Sequence, residues 1–131
     1  MFSYEDELIL PELPPDARNL TYDMLLGEQK KKPKQLHLPF LLEITHLMMN
    51  RRKLSSVIQV DTENQIKPLL SQYCPNLTHI FLQENYLTFI GAPAFKNLKN
   101  IVQINLFKNM IVKMDCFDDC VKLQKLYLEH N

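Results

Sequence analysis

The sequence predicts an α/β fold in which short parallel strands alternate with helical or irregular segments. One observation is a pattern with apolar residues at its first, fourth and sixth places and Asn at its ninth, which occurs three times near the end of the chain. A second is the spacing, because the three Asn residues lie 24 and then 22 positions apart. A short strand buries alternate side chains, and a buried Asn offers the next turn both a donor and an acceptor. The copies begin at Leu77, Ile101 and Leu123 and reach their Asn at Asn85, Asn109 and Asn131.

This pattern resembles the leucine-rich repeat family, and the resemblance covers about residues 55 to 131. The resemblance implies an α/β leucine-rich repeat solenoid arc, with a parallel concave sheet on one side and helical or irregular segments on the other. It also gives the three Asn residues a structural role in the turns. The copies are expected at 55–76 (degenerate), 77–100, 101–122 and 123–131 (partial).

The degenerate copy at 55–76 is predicted to supply the first strand of the sheet. Ile58 and Val60 lie one 22-residue period before the buried pair of the next copy, so a strand over 57–60 is expected. The Asn place of this copy falls on Glu63, which departs from the pattern.

Residues 37–54 are predicted to form a helical cap that covers the open edge of the first strand. Pro39 suits the first turn of a helix, where its missing N–H costs nothing. Apolar residues then recur at helical spacing and share one face, namely Phe40, Ile44, Leu47 and Met48.

Residues 1–36 are predicted to form an N-terminal extension that is partly helical or disordered. Asp16 can cap the start of a helix over 17–26, and Gly27 can end it. The basic run at 30–34 surrounds a helix-breaking proline and indicates a solvated hinge, with a nuclear-import signal as the alternative.

Composition argues against several classes of function and location. The chain has 15 basic and 15 acidic residues, which gives no general reason to bind nucleic acid or an acidic membrane. No apolar run approaches the roughly 18 residues that a membrane span needs, and the acidic first residues differ from a secretory signal. Three cysteines, an odd number, fit a reducing compartment. A cytoplasmic location is predicted, and association with a cilium or the cytoskeleton, or a nuclear location, stays open.

The sequence offers no residues for catalysis, a cofactor or a metal. Two glycines are too few for a phosphate-binding loop, and no zinc-protease or paired Cys motif is present. The cluster at 115–120 suggests metal ligands, but the repeat alignment puts Cys116 and Cys120 at the places of Ala94 and Leu98. These cysteines are therefore predicted to be buried thiols, and the chain is predicted not to be an enzyme.

A surface on the predicted concave face is the candidate functional site. Residues between the buried strand positions point to that face and stack into columns from one copy to the next. Three of them are aromatic although the core does not require it, which is typical of the centre of a protein interface. The predicted partner-binding residues are His79, Phe81, Gln83, Gln103, Asn105, Phe107, Lys125, Tyr127 and Glu129.

Two functions of different classes are compatible with the sequence. The first is a non-catalytic protein-interaction module, an adaptor or scaffold that binds a protein partner through its concave face. The alternative is a substrate-receptor subunit of a ubiquitin ligase, because the segment near 38–54 is faintly similar to the start of an F-box. Binding to the ligase adaptor protein discriminates between them.

The third copy stops at its Asn, and this leads to a further expectation. The strand of this copy is left with an edge that has no neighbour or capping unit. We therefore expect the repeats to continue in a longer protein, or the edge to be covered by a partner or by self-association.

Overall fold

A four-stranded parallel sheet is the main feature of the computed structural model, which describes residues 9–27, 37–60 and 62–131. Short helices and smaller two-stranded pairings connect its strands. In chain order, the elements are β1 (Arg18–Asn19), α1 (Tyr22–Leu26), α2 (His37–Glu43), β2 (His46–Met48), β3 (Leu54–Ser56), β4 (Gln59–Val60), β5 (Ile66–Lys67), α3 (Leu69–Tyr73), β6 (His79–Phe81), β7 (Phe89–Ile90), a 3-10 helix (Ala92–Phe95), β8 (Gln103–Asn105), β9 (Lys113–Met114) and β10 (Lys125–Tyr127).

The main sheet runs in the order β10, β8, β6, β2, and every neighbouring pair is parallel. Its strands are in register, so that the middle residue of each strand lies beside the middle residue of the next. This central column turns into the core and consists of Leu47, Ile80, Ile104 and Leu126. The predicted parallel sheet is confirmed, and the chain has an α/β repeat fold.

The first strand of the main sheet is not the predicted one. Residues 57–60 were expected beside β6, but β2 lies there instead. Ile44, Leu47 and Met49 fill the first, fourth and sixth places of the repeat pattern, and Leu47 and Met49 are buried. Arg52 occupies the Asn place, which hides this copy in the sequence. Residues 59 and 60 do form a strand, β4, but its predicted place in the main sheet is wrong, because β4 pairs with β5 in an antiparallel hairpin.

The predicted helix through Met48 is also shorter than expected. It ends at Glu43, and the chain then enters β2. The reason is that Leu47 reaches the core from the middle of a strand, beside Ile80 of the neighbouring strand, while Met48 is exposed. α2 is in contact with both α1 and α3.

The N-terminal segment contributes both a strand and a helix. β1 pairs in parallel with β3, so residues 18 and 19 are extended rather than helical. Helix α1 therefore starts later than predicted, with the Thr21 hydroxyl accepting the N–H of Met24 at 3.2 Å. Asp16 is not the N-cap; its carboxylate lies 2.9 Å from the Lys53 ammonium. Gly27 ends the helix as predicted, and the basic run at 30–34 lies outside the described residues.

The core is continuous from the N-terminal segment through the repeats. Leu20, Leu25 and Leu26 of the first segment belong to the same cluster of buried side chains as the repeat leucines. The segment before β2 is thus packed on the repeats.

Candidate functional site

The four strands present one exposed surface, which we call the outer face. Side chains alternate along a strand, so the residues on either side of the buried central column point away from the core. The face has three rows that cross the strands. The first row is His46, His79, Gln103 and Lys125; the second row is Met48, Phe81, Asn105 and Tyr127.

The third row lies where the strands pass into their turns. Backbone hydrogen bonds continue the parallel pairing there: Arg51 N–H donates to Gln83 O at 3.2 Å, Glu84 N–H to Phe107 O at 2.8 Å and Lys108 N–H to Glu129 O at 3.0 Å. In this pairing, the residue that precedes each donor lies beside the acceptor residue. Asn50 therefore lies beside Gln83, Gln83 beside Phe107, and Phe107 beside Glu129. The third row is therefore Asn50, Gln83, Phe107 and Glu129.

The structure brings all nine residues of the predicted site together on this face. Each row holds three of them, on β6, β8 and β10 or in the turns that follow. Sequence reasoning missed the β2 edge of the face, which consists of His46, Met48 and Asn50. The apolar spacing Ile44-x-x-Leu47-x-Met49 is the signal that identifies this edge.

The second row is the most apolar part of the outer face. Met48 is 55% exposed and Tyr127 is 37% exposed, although both belong to strands of the main sheet. Phe81 lies between them in the row and is half-buried. Since neighbouring strands lie about 4.8 Å apart, Met48 and Phe81 adjoin, and Tyr127 follows about 10 Å beyond Phe81. Asn105 lies between Phe81 and Tyr127, so the apolar residues of this row are Met48 with Phe81 at one end and Tyr127 at the other.

The first row holds two stacked imidazole rings. The ring centroids of His46 and His79 are 4.2 Å apart and their planes differ by 4°. Each Nδ1 lies close to the hydroxyl of the preceding threonine, at 2.9 Å from Thr45 and 2.8 Å from Thr78. The Thr78 hydroxyl also donates to the Thr45 carbonyl at 3.1 Å. A hydroxyl has one proton, so the Nδ1 of His79 must donate to this oxygen when both contacts are made.

The third row centres on Phe107. The ring of His130 meets it edge to face, with centroids 5.2 Å apart, and the Lys108 ammonium lies 5.4 Å from its centroid. The side chain of Asn105 accepts the N–H of Phe107 at 3.0 Å, which fixes the backbone beneath the ring. Beside it, the side-chain oxygen of Gln83 is buried, and none of the described residues donates to it.

The three predicted structural asparagines fix the rows relative to one another. Asn85 accepts the N–H groups of Arg52 and Leu54 at 2.9 and 3.0 Å, and donates to the carbonyls of Met49 and Leu82 at 2.9 and 2.8 Å. It therefore joins its own turn to the turn of the preceding copy.

Asn109 repeats this arrangement one copy later. Its oxygen accepts the N–H of Leu87 at 3.1 Å, and its nitrogen donates to the carbonyls of Leu82 and Leu106 at 3.0 and 3.1 Å. Asn131 does the same with the N–H of Ile111 and the carbonyls of Leu106 and Leu128, but it is exposed.

The residue before each Asn place has a left-handed backbone, and it carries charge or a titratable ring in every copy. The φ angles are 56° at Arg51, 59° at Glu84, 55° at Lys108 and 61° at His130. Arg51 and Glu84 form an ion pair on the surface. The hydrogen bond from Arg51 lowers the pKa of the Glu84 carboxyl, so this carboxylate stays charged at the edge of the outer face.

The cysteines are free thiols inside the core. Burial raises the pKa of Cys74 and of Cys116 to about 12, and it also raises the pKa of Cys120. Their thiolates are therefore scarce near neutral pH, which argues against a nucleophilic role. Among the described residues, no group of three or more His, Cys, Asp or Glu side chains can hold a metal ion.

Two clefts outside the outer face are small. An apolar cleft of about 120 Å³ is bordered by Val57, Ile66 and Phe89, and a polar one of about 260 Å³ by Lys96 and Asp118. Both are below the roughly 300 Å³ at which small-molecule sites begin. The helices in the described part of the chain are all too short or too polar to cross a membrane.

Comparison with known proteins connects the sheet to a family. Residues 75–131 match the family model described as leucine rich repeat. The matched segment contains β6, β8, β10 and the three Asn turns, whereas β2 lies before it. Neither the comparison with curated proteins nor that with solved structures gives a match.

Proposed function

We propose that this chain is a non-catalytic adaptor or scaffold, because residues 75–131 match the leucine-rich repeat family model and domains of that family generally mediate protein–protein interactions. Its outer face binds the protein partner. The family is typically non-enzymatic, which agrees with cysteines that are buried and with clefts that are small.

The apolar second row is the observation that carries this proposal. The opposite face of the main sheet provides the core contacts of its strands. The core therefore does not need the side chains of this row, Met48, Phe81 and Tyr127. The residues that flank them in the first and third rows are polar, except for Phe107 in the third row. An apolar centre with a polar rim is the usual anatomy of a protein interface, and aromatic side chains often supply most of its binding energy.

The proposal includes a curved arc in which the outer face is concave. The helices lie in contact in chain order, α1 against α2 and α2 against α3. We propose that α1 and α2 cap the N-terminal end of this arc and keep β2 in the sheet. The three free cysteines fit a reducing compartment, so we place the protein in the cytoplasm.

The ubiquitin-ligase alternative depends on the segment near 38–54. An F-box is a helical unit of several tens of residues, whereas this segment contains α2 from its second residue, then β2 and the first residue of β3. A pull-down with the purified ligase adaptor decides this alternative directly.

The proposal is tested by charging the second row. Met48→Lys combined with Tyr127→Lys changes two exposed side chains and should leave the circular dichroism spectrum unchanged. A partner captured from cell extract with the wild-type chain is identified, purified and titrated against each variant. We expect its affinity to fall at least tenfold, since interface anchors commonly contribute about 2 kcal/mol or more.

A matched control uses exposed apolar residues that lie outside the main sheet. Val112→Lys combined with Val121→Lys alters side chains that are 50% and 76% exposed. This variant should bind as the wild-type chain does. Equal affinity of the wild type and the Met48/Tyr127 variant would show that the partner does not use the outer face.

A further inference from the structure

The segment that precedes β1 exposes large apolar side chains. Residues 9–17 belong to no helix or strand. Ile9 is 85% exposed, Leu10 is 47% exposed and Leu13 is 40% exposed. Leu20, a short way along the chain, is 3% exposed and belongs to the core. The three exposed side chains are therefore free to contact another molecule, and their spacing decides what kind of surface they fit.

Prolines restrict the backbone of this segment. Pro11, Pro14 and Pro15 each hold φ at about −65°. The residue before a proline is kept out of the helical region, and this applies to Leu10 and Leu13. Polyproline II is the regular conformation that satisfies both restrictions. A segment restricted in this way loses little conformational entropy when it binds, which favours its use as a ligand.

The period of polyproline II sorts the side chains onto three sides. This helix has about three residues per turn and rises about 3.1 Å per residue, so residues three positions apart share one side and lie about 9 Å apart. The three sides are Leu10 with Leu13, Pro11 with Pro14, and Ile9 with Glu12. The first two sides adjoin and are wholly apolar. They consist of two Leu–Pro pairs, 10–11 and 13–14, whereas the third side carries a carboxylate.

The folded part of the chain holds the end of this segment. The N–H of Ala17 donates to the carbonyl of Pro14 at 3.1 Å and closes a turn. The carboxylate of Asp16 lies 2.9 Å from the Lys53 ammonium, and β1 then pairs with β3. The second Leu–Pro pair therefore lies directly before a fixed turn. Both pairs lie on a different part of the chain from the four strands of the outer face.

We propose that residues 10–14 bind a groove lined by aromatic side chains on a second protein, of the kind that accommodates Pro-x-x-Pro segments in polyproline II conformation. Each Leu–Pro pair fills one pocket of the groove. Residues 1–16 include five acidic residues and no Lys or Arg, so the groove has positively charged surroundings. This site goes beyond the proposed function, because the chain would join this protein to the one bound by the outer face.

An array of purified proline-recognition domains, chosen because their aromatic groove contains a Trp, provides the probe. The intact chain is applied to the array, and each domain that binds is then titrated with it. The chain has no Trp, so the fluorescence of the domain reports occupation of the groove directly. We expect saturable one-to-one binding by domains whose groove is surrounded by Lys and Arg.

Variants of the chain locate the contact. Leu10→Ala with Leu13→Ala should lower affinity by at least about tenfold, since each leucine loses apolar area that the groove buries. Pro11→Ala with Pro14→Ala should also weaken binding. Ile9→Ala is the matched control, because this side chain is more exposed than either leucine but lies on the third side. It should leave the affinity unchanged. Circular dichroism should be the same for all of these variants.

The outer face is tested in the same titration. Met48→Lys with Tyr127→Lys should bind the domain as the wild-type chain does, whether or not it loses the partner of the outer face. An array without any binder would overturn the proposal. So would an Ile9→Ala variant that weakens binding as much as the double leucine variant, or binding confined to domains with acidic grooves. Loss of domain binding in the Met48/Tyr127 variant alone would place the contact on the outer face instead.

Discussion

Asn109→Ala should destabilise the protein strongly, because it leaves one buried donor without a partner. The Asn109 side chain makes three hydrogen bonds and is 7% exposed. Two of these bonds end on carbonyls that still have a second donor in the Asn109→Ala variant. Leu82 O accepts from the side chain of Asn85, and Leu106 O accepts from the side chain of Asn131. The Leu87 N–H has Asn109 as its acceptor and lies in the core.

The magnitude follows from these three contacts. A buried donor left unpaired costs about 1 to 3 kcal/mol, and each of the other bonds contributes about 0.5 to 1.5 kcal/mol net. The carbonyls retain a partner, so we use the lower part of that range for them. The expected loss in the free energy of unfolding is therefore about 2 to 4 kcal/mol.

The same substitution at the other two asparagines should give different losses of stability. An effect common to every Asn→Ala substitution would give equal losses. Asn85→Ala leaves two N–H groups without their acceptor and should cost at least as much as Asn109→Ala. Asn131→Ala removes the same type of contacts from an exposed residue, where water replaces them, and should cost less than about 1 kcal/mol.

Urea unfolding followed by far-ultraviolet circular dichroism measures all three variants, since the chain has no Trp. The urea midpoint should decrease least in the Asn131→Ala variant, more in the Asn109→Ala variant and most in the Asn85→Ala variant. An Asn109 variant that shifts the midpoint no more than the Asn131 variant would refute the argument from the buried donor.

Three further perturbations test separate parts of the structure. The three buried cysteines should react with a thiol reagent much more slowly in the native protein than in urea, as burial raises their pKa values, and added zinc should not raise the unfolding midpoint. Gly27→Ala should cost about 1 to 3 kcal/mol, because its φ of 52° and ψ of −124° strain any residue with a side chain, whereas Gly91→Ala, at φ −85°, should be nearly neutral. Glu84 has its pKa lowered by Arg51, so its contribution to stability is present above the ordinary Glu pKa and is lost as the pH falls through the folded-state value. The midpoint difference between wild type and Glu84→Gln should therefore shrink toward pH 3 and in high salt, and a difference independent of both would contradict the ion pair.

The sequence reveals the repeat units in which every place of the pattern is filled. β6, β8 and β10 each combine apolar residues at fixed spacing with a buried or turn-forming Asn, and two independent requirements make the pattern specific. β2 satisfies only the apolar requirement. Its Asn place is Arg52. An Asn at this place bridges to the preceding copy, as Asn85 does by accepting the N–H of Arg52, but β2 is an edge strand and has no preceding copy in the main sheet. Sequence spacing cannot show that contact, since it depends on a residue 33 positions away.

Local signals at the N-terminus were ambiguous for a similar reason. Asp16 and Thr21 both suit the start of a helix. Pairing of β1 with β3 decides between them, because it keeps residues 18 and 19 extended. That pairing depends on residues 54 to 56, whose location follows from the fold and not from the adjacent sequence. For the same reason, the sequence predicted the candidate site on only three of its four strands. His46 and Met48 of β2 were missed.

Site-specific photo-crosslinking tests the central proposal, that the outer face binds a protein partner, most directly. A photoreactive phenylalanine analogue is placed at Tyr127 in the second row and, in a second protein, at Val121, which is 76% exposed outside the main sheet. Both proteins are irradiated with the purified partner. The proposal predicts a crosslinked complex from position 127, lost on addition of unlabelled chain, and little product from position 121. Efficient crosslinking from position 121 with none from position 127 would place the partner elsewhere on the molecule.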